Sequence, residues 1–285
     1  MKTGLLREIT APPIGKKVAR FYDIGSPYYL EFYGKHIHDG YYITGRESRE
    51  EAQENLIKFL VEKAGIKKGS RILDVGCGIG GSSIWLAKNL GAQTTGITIS
   101  PVQLEMANKM ALEEVANSSF LLMNAEEMDF PETFDVLWLV AALTHFQNQE
   151  NFFTLAAKFL NKDGKFIFFD WTVDEAIEEA ANDRTVQSVI EGMVLSQLHS
   201  NNTYLKWLIE AGFRIAYSED ITDHTLRTWD VALKLLKEPA LYKLAYKLAR
   251  KEGAEVLGFL KSLRAMRKAM KEGKVKSTAI AAEKI

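Results

Sequence analysis

A chain of 285 residues with 47% hydrophobic and 26% charged side chains can bury a full core, as one large α/β domain or one domain with an inserted cap. Its 36 basic and 37 acidic residues nearly cancel, which argues against a nucleic-acid partner, and its single cysteine, Cys77, excludes an internal disulfide framework. The start, MKTGLLREITAPP, lacks the apolar run of a secretion signal and no stretch approaches a membrane span, so a soluble, cytoplasmic protein is expected.

Residues 1–45 read as an irregular segment carrying eight aromatic side chains, among them Tyr22, Tyr41 and Tyr42. The rest, 46–285, reads as one domain. Ser48 and Glu51 make a Ser-x-x-Glu capping box, and Leu56, Ile57, Leu60, Val61 and Ala64 follow at helical spacing. Short β-like runs then alternate with helices: strands at 71–75, 93–99, 119–123, 134–140 and 165–169. Helices are expected at about 82–90 and after Ser100-Pro101, where the serine caps and the proline starts the helix. Beyond the fifth strand the pattern changes. A helical cap is expected over about 174–211, a strand near 213–219, helices over about 225–272 and a last strand at 275–282. Such alternation implies a Rossmann-like, doubly wound, mostly parallel seven-stranded sheet with helical cap insertions. Folds of this kind bind ligands at the carboxyl ends of their strands.

The first strand runs into Asp74-Val75-Gly76-Cys77-Gly78-Ile79-Gly80-Gly81, which opens a helix. Glycines there let the backbone approach a ligand with no Cβ in the way. Gly76, Gly78 and Gly81 also satisfy the dinucleotide pattern G-x-G-x-x-G, a weak signal alone. A dinucleotide site wants an acid at the end of the second strand for a ribose hydroxyl, but that strand ends Thr98-Ile99-Ser100. Asp74 is moreover a poor neighbour for a pyrophosphate and a good one for a cofactor bearing ammonium and sulfonium charges. Both features favour S-adenosylmethionine over a nicotinamide or flavin dinucleotide, which leaves a dinucleotide-dependent oxidoreductase as the weaker alternative.

The stretches DVGCGIGGSS and GITISPVQLEMAN, with His36-Ile-His-Asp-Gly-Tyr-Tyr42 upstream, resemble the γ-tocopherol and sterol methyltransferases and their small-molecule relatives among class I S-adenosylmethionine-dependent methyltransferases. The resemblance implies that Gly76, Gly78 and Gly80 line the methionine part of the cofactor, with Asp74 organising the loop. It places Thr98, Ile99, Ser100 and Gln103 at the ribose, and Asn124, Ala125 and Glu126 at the adenine edge. By the same resemblance, Tyr22, Tyr41 and Tyr42 close over the cofactor and the acceptor, with simple core packing as the alternative; His38 and Trp171 are further candidates for the substrate side or lid. His36, His38 and Asp39 could also be read as metal ligands, but no further ligand set accompanies them, so a lid or packing role is expected and no metal.

Relatives carry the histidine matching His145 within Glu-x-x-Glu-His; here Ala141 and Thr144 replace both acids. Carbocation chemistry of the sterol type is thereby disfavoured, while a lone neutral imidazole still accepts a proton near neutral pH. Asp170, ending the neighbouring strand, is expected in the same crevice, where it either orients His145 or caps a turn. The resulting expectation is methyl transfer to a small lipophilic or aromatic acceptor: a phenolic or prenylated ring, an amine or indole nitrogen, or a terpenoid. A cofactor-binding cyclase or scaffold without methyl transfer is the other reading. Finally, eleven basic residues fall between Lys243 and Lys276 against Glu252, Glu255 and Glu272. With the apolar stripe Leu257, Leu260, Leu263, Met266 and Met270, they suggest a packed helix with a solvated basic face, or a peripheral membrane contact.

Overall fold

The computed structural model describes residues 13–180 and 182–285. Helix α1 (Pro13–Phe32) and helix α2 (Arg49–Ala64) precede strand β1 (Arg71–Val75). Then come α3 (Gly81–Leu90), β2 (Gln93–Thr98), α4 (Pro101–Glu113), β3 (Ser118–Leu122), β4 (Phe134–Val140), α5 (Gln149–Lys158) and β5 (Leu160–Val173). After β5 the chain forms α6 (Glu175–Ala180), α7 (Arg184–Gly192) and α8 (Asn201–Glu210), then β6 (Phe213–Asp220). Four helices, α9 (Thr222–Thr225), α10 (Arg227–Leu235), α11 (Pro239–Glu252) and α12 (Ala254–Lys271), lead into the last strand, β7 (Val275–Lys284).

Among the described residues seven strands form one sheet in the order β3-β2-β1-β4-β5-β7-β6. The first five pair in parallel, and β7 inserts antiparallel between β5 and β6. The switch in strand order lies between β1 and β4, so the loops after those strands border the crevice where such sheets hold their ligands. Both faces of the sheet are covered. Leu137, Leu139, Phe166 and Phe168 face α5 and α8, whereas Val136, Trp138, Ile167 and Phe169 face the side of α2. This alternation along β4 and β5 is why both strands read as continuous apolar runs, each such side chain contributing about 1.5–3 kcal/mol by burial.

Caps expected from the sequence form as chemistry requires. Ser48 accepts from Glu51 N while Glu51 accepts from Ser48 N, and Ser100 Oγ accepts from Gln103 N. The segment before residue 45 differs from expectation: residues 13–32 are not irregular but a 20-residue helix running through Gly25 and Pro27. Glycine and proline disfavour a helix interior locally, yet tertiary packing overrides them. Phe21 and Tyr29 pack edge-on against Phe259 of α12, and Ser26 is fully buried, accepting from Gln103 Nε2 at 3.1 Å. The long helical stretch breaks into four pieces, and α7, α10 and α12 enclose a separate apolar cluster built on Val189, Trp229, Met266 and Met270. No helix among the described residues is long and apolar enough to cross a membrane.

Candidate active site

Two cavities open side by side beyond the carboxyl ends of the parallel strands. One, about 110 Å³, is lined by the glycine loop and the ends of β2, β3 and β4; the other, about 230 Å³, lies between α1 and the helices α10–α12. They share Tyr22, Ile37, His38 and His145. A ligand group in one therefore meets a ligand group in the other across these four side chains.

In the smaller cavity the backbone does most of the shaping. Gly76 sits at φ +74°, and a Cβ there would lie 2.5 Å from Ala142 Cβ, so the β1 turn and the turn after β4 are in contact only because residue 76 has no side chain. Gly78, at φ +56°, has open space towards Gln103 Nε2, where a Cβ would come no closer than 3.8 Å. Asp74 is buried and accepts from Ser83 Oγ at 2.6 Å; burial pushes its carboxyl up to about 7, partly opposed by Ser83. Thr98 Oγ1 donates to Gln103 Oε1 at 2.8 Å, fixing both side chains on the wall beside Ile99. Asn124 Oδ1 accepts from Glu126 N at 3.1 Å, while its buried Nδ2 has no partner among the described residues. Ala125 and Glu126 continue this wall, the Glu126 carboxylate accepting from Gln147 N and Asn148 N at 3.1 and 2.7 Å.

Several expected residues lie elsewhere. Gly80 does not line the cavity: a Cβ there would strike Phe120 at 2.7 Å, so this glycine serves helix–strand packing. The Ser100 hydroxyl caps α4 and donates to Asp23, and Ser100 is likewise absent from the cavity wall. Tyr41 stacks between Phe59 and His224, with centroids 4.6 and 4.2 Å away, and Tyr42 is buried with its backbone N donating to His224 O. Neither tyrosine reaches either cavity. Conversely, the spacing of residues gave no hint that Gly81 carries the segment 35–38. A Cβ on Gly81 would lie 2.2 Å from Lys35 O, so Lys35, His36 and Ile37 reach the cavity over the start of α3.

His145 stands where the two cavities meet. Its Nδ1 lies 3.0 Å from Val194 O, a carbonyl that can only accept, so Nδ1 carries the proton. Nε2 is then the acceptor, and it receives the Tyr22 hydroxyl at 3.0 Å. Burial lowers the His145 pKa below its ordinary 6.5 and raises that of Tyr22 well above 10, so a neutral ring faces a protonated phenol. Val194 holds its carbonyl in place at φ +55°, a left-handed conformation costly for a β-branched residue, and Ser196 N ties the same loop to Thr144 O at 2.8 Å.

The expected Asp170–His145 pair does not form. Asp170 is fully buried, and its carboxylate accepts from Thr144 N at 3.2 Å, Thr144 Oγ1 at 3.1 Å and Trp171 N at 2.8 Å. Burial raises it to about 6 against those three donors. Asp170 thus pins the turn that carries His145 through the residue before it. An acid at position 144 would set a second carboxylate against Asp170.

The larger cavity is apolar. Phe21, Tyr29, Trp229 and Phe259 supply aromatic walls, with Leu241, Leu244 and Leu248 of α11 opposite. Its polar lining includes His38, Asp39 and Trp171, and the buried Trp229 Nε1 has no partner among the described residues. Trp171 Nε1 donates to Asp39 Oδ2 at 2.9 Å, and burial raises Asp39 to about 7. His38 Nδ1 bonds the Asp39 carbonyl at 2.8 Å, and burial lowers its pKa to about 4. Gln53 Nε2 donates to the carbonyls of His36 and His38 at 2.7 and 3.0 Å, fixing the segment.

Comparison with known proteins agrees with this geometry. The profile of the mycolic acid cyclopropane synthetase family matches residues 12–273. A probable chloroplastic tocopherol O-methyltransferase of Oryza sativa subsp. japonica is 33% identical over 172 residues, 56% of this chain and 48% of the relative. The chain thus spans about half the length of that plant protein. The 27-O-demethylrifamycin SV methyltransferase of Amycolatopsis mediterranei (strain S699) is 28% identical over 236 residues, covering 80% of this chain and 86% of the relative. Mycolic acid cyclopropane synthase CmaA1, solved with SAH and CTAB, shares the fold at a TM-score of 0.83 and 20% identity, over 96% of this chain and 99% of that one.

Proposed function

The chain belongs to the mycolic acid cyclopropane synthetase family, within the class I S-adenosylmethionine-dependent methyltransferases, and we propose that it methylates a small lipophilic acceptor held in the apolar chamber. S-adenosylmethionine is its cofactor, and the polar cavity suits it. Gly76 and Gly78 leave the backbone open, Asp74 offers a counter-charge to an ammonium, and the unpartnered Asn124 Nδ2 offers a donor. Because that donor is the free group, Asn124 suits a ring nitrogen of adenine better than its exocyclic amine. When bound, the cofactor supplies an already activated methyl group on sulfonium, so the protein's tasks are alignment and exclusion of water.

The observation that carries this reading is the shared wall of the two cavities. Tyr22 and His145 form one hydrogen-bonded unit there, with both ring nitrogens of His145 engaged. Such a unit holds the phenol hydroxyl at a fixed point on the boundary. The imidazole receives a proton only by way of that hydroxyl, so positioning is its first role and base its second. Aromatic and aliphatic walls favour a phenolic, prenylated, terpenoid or alkaloid-like acceptor. The test is transfer of labelled methyl from S-adenosylmethionine to a panel of such acceptors. Labelled product supports the reading; cofactor binding with no labelled product across the panel favours a cyclase or scaffold.

The C-terminal helices support a peripheral membrane contact as a second reading. A surface crevice lined by Tyr246, Leu257, Arg264 and Lys268 shares Leu236, Ala245 and Leu260 with the apolar chamber. Tyr246 and Leu257 are 61% and 49% exposed beside those cations. A lipophilic acceptor leaving a bilayer would meet the chamber here. Sedimentation with phosphatidylglycerol vesicles should be lost in a variant with Lys261, Arg264 and Lys268 all changed to Glu; equal sedimentation of both proteins, or of neither, removes the idea.

A further inference from the structure

Two imidazoles border both cavities, and they differ in one respect. His145 has both nitrogens engaged. On His38, Nδ1 faces the Asp39 carbonyl at 2.8 Å and must carry the proton, because a carbonyl cannot donate. Its Nε2 is therefore an acceptor, and this atom is buried with no partner among the described residues. The ring belongs to the lining of both the cofactor cavity and the apolar chamber. It is held there by Gln53, through the carbonyls on either side of Ile37, and by the close approach of residues 35–36 to Gly81.

A buried acceptor left empty carries a desolvation penalty that only a donor can offset. Among nearby polar groups, Asp39 is engaged by Trp171 Nε1, Asp170 by Thr144 and Trp171, and Tyr22 by His145. The His36 ring stands 5.2 Å away, its own Nδ1 also without a partner. The chamber wall thus carries two buried polar atoms without a partner among the described residues, the His38 Nε2 lone pair and the Trp229 Nε1 donor; of the two, only the lone pair can accept from an O–H or N–H of an apolar molecule.

We infer that His38 Nε2 receives the hydrogen bond of the acceptor's O–H or N–H group, making His38 the base and the chain an O- or N-methyltransferase. The inference rests on the methyl-transfer reading above. As the acceptor heteroatom gains the methyl group it gives its proton to Nε2; sulfur keeps the electron pair of the broken carbon–sulfur bond. His38 then loses the proton to solvent once the product leaves. The groups facing this ring are His36, Asp39, Tyr22 and His145. Burial keeps His38 neutral down to about pH 4, so the acceptor lone pair is present through the whole neutral range.

The test compares 4-octylphenol with 4-octylanisole, which has the same apolar body and no donor. Binding to the full chain saturated with S-adenosylhomocysteine is followed by the fluorescence of Trp171 and Trp229, both on the chamber wall. Wild-type protein should prefer the phenol by about tenfold, the worth of one buried hydrogen bond. His38→Phe should lose the preference while still binding the anisole, and His38→Gln, which keeps an acceptor, should regain part of it. The preference should stay flat from pH 8 to pH 5; a base at the ordinary histidine value would lose it between pH 7 and 6. Equal binding of both probes by the wild type, a preference unchanged in His38→Phe, or binding of neither probe overturns the inference. A melting-temperature rise with S-adenosylmethionine, measured on the same three proteins, checks that each is folded. If that rise is present and the preference absent, only the His38 assignment falls; if the rise is absent in the wild type, the underlying reading falls.

Discussion

The two cavities that meet at Tyr22 and His145 are made from different materials. The cofactor cavity is assembled from loops at strand ends, where glycines at φ +74° and +56° and a few fixed polar groups decide the shape. The larger chamber, proposed to take the acceptor, is assembled mostly from side chains of α1, α10, α11 and α12, with Trp171 of β5, His145 and residues 37–39 completing it. On the proposed reading, substitutions in the first should cost cofactor affinity, while substitutions in the second should change the acceptor. This is how one fold serves many substrates while its cofactor stays the same.

The sharpest way to break that comparison is at Gly76. Gly76→Ala places a methyl group against Ala142 in a disfavoured backbone conformation, and affinity for S-adenosylmethionine should fall by more than about 100-fold in calorimetric titration. Leu241→Ala, in the chamber, should leave that affinity within a few-fold and alter only which acceptors turn over. At the shared wall, His145→Ala and Tyr22→Phe should each slow turnover by roughly 10²-fold, the loss expected when the reacting groups are misplaced. Since the two side chains act as one unit, the double variant should be little worse than either single one. Fully multiplicative losses would mean that they act separately.

A smaller effect concerns pH. Burial raises Asp74 to about 7 in the free protein, so below that value the site carries a proton that a cationic ligand must displace. Affinity for S-adenosylmethionine should rise as pH climbs from 5.5 towards 7, by at most about tenfold per unit, and level off above. In the absence of ligand the sign reverses for stability: a carboxyl with a raised pKa favours the folded state fully below its ordinary value near 3.8, and that contribution falls as pH rises and is gone above about 7. The smallest effect belongs to Tyr41, which lies in neither cavity. Tyr41→Leu should cost about 0.5–1.5 kcal/mol of stability through lost stacking on Phe59 and His224, with cofactor affinity unchanged.

Legibility of the molecule in its sequence follows the same division. The parallel core was readable because β4 and β5 are apolar on both faces and because Ser48, Ser100 and Pro101 mark helix starts by local chemistry alone. The turn after β1 was readable because Gly76 and Gly78, at φ +74° and +56°, are backbone requirements. Gly80 misled, since packing against Phe120 demands glycine as firmly as a ligand does. Helix α1 was hidden by Gly25 and Pro27, whose unfavourable local terms are outweighed by contacts with α4 and α12 more than 70 residues away. The roles of Asp170 and Tyr41 turned on which neighbour each side chain meets, and neither spacing nor residue type specifies that.

A thermal-shift titration with S-adenosylmethionine, S-adenosylhomocysteine and NADPH in parallel would show which cofactor the folded chain binds. At about 100 times its dissociation constant a ligand stabilises the fold by roughly 2.7 kcal/mol, a clear rise in melting temperature. A rise is expected with the first two ligands and none with the third. A rise with NADPH alone would contradict that expectation.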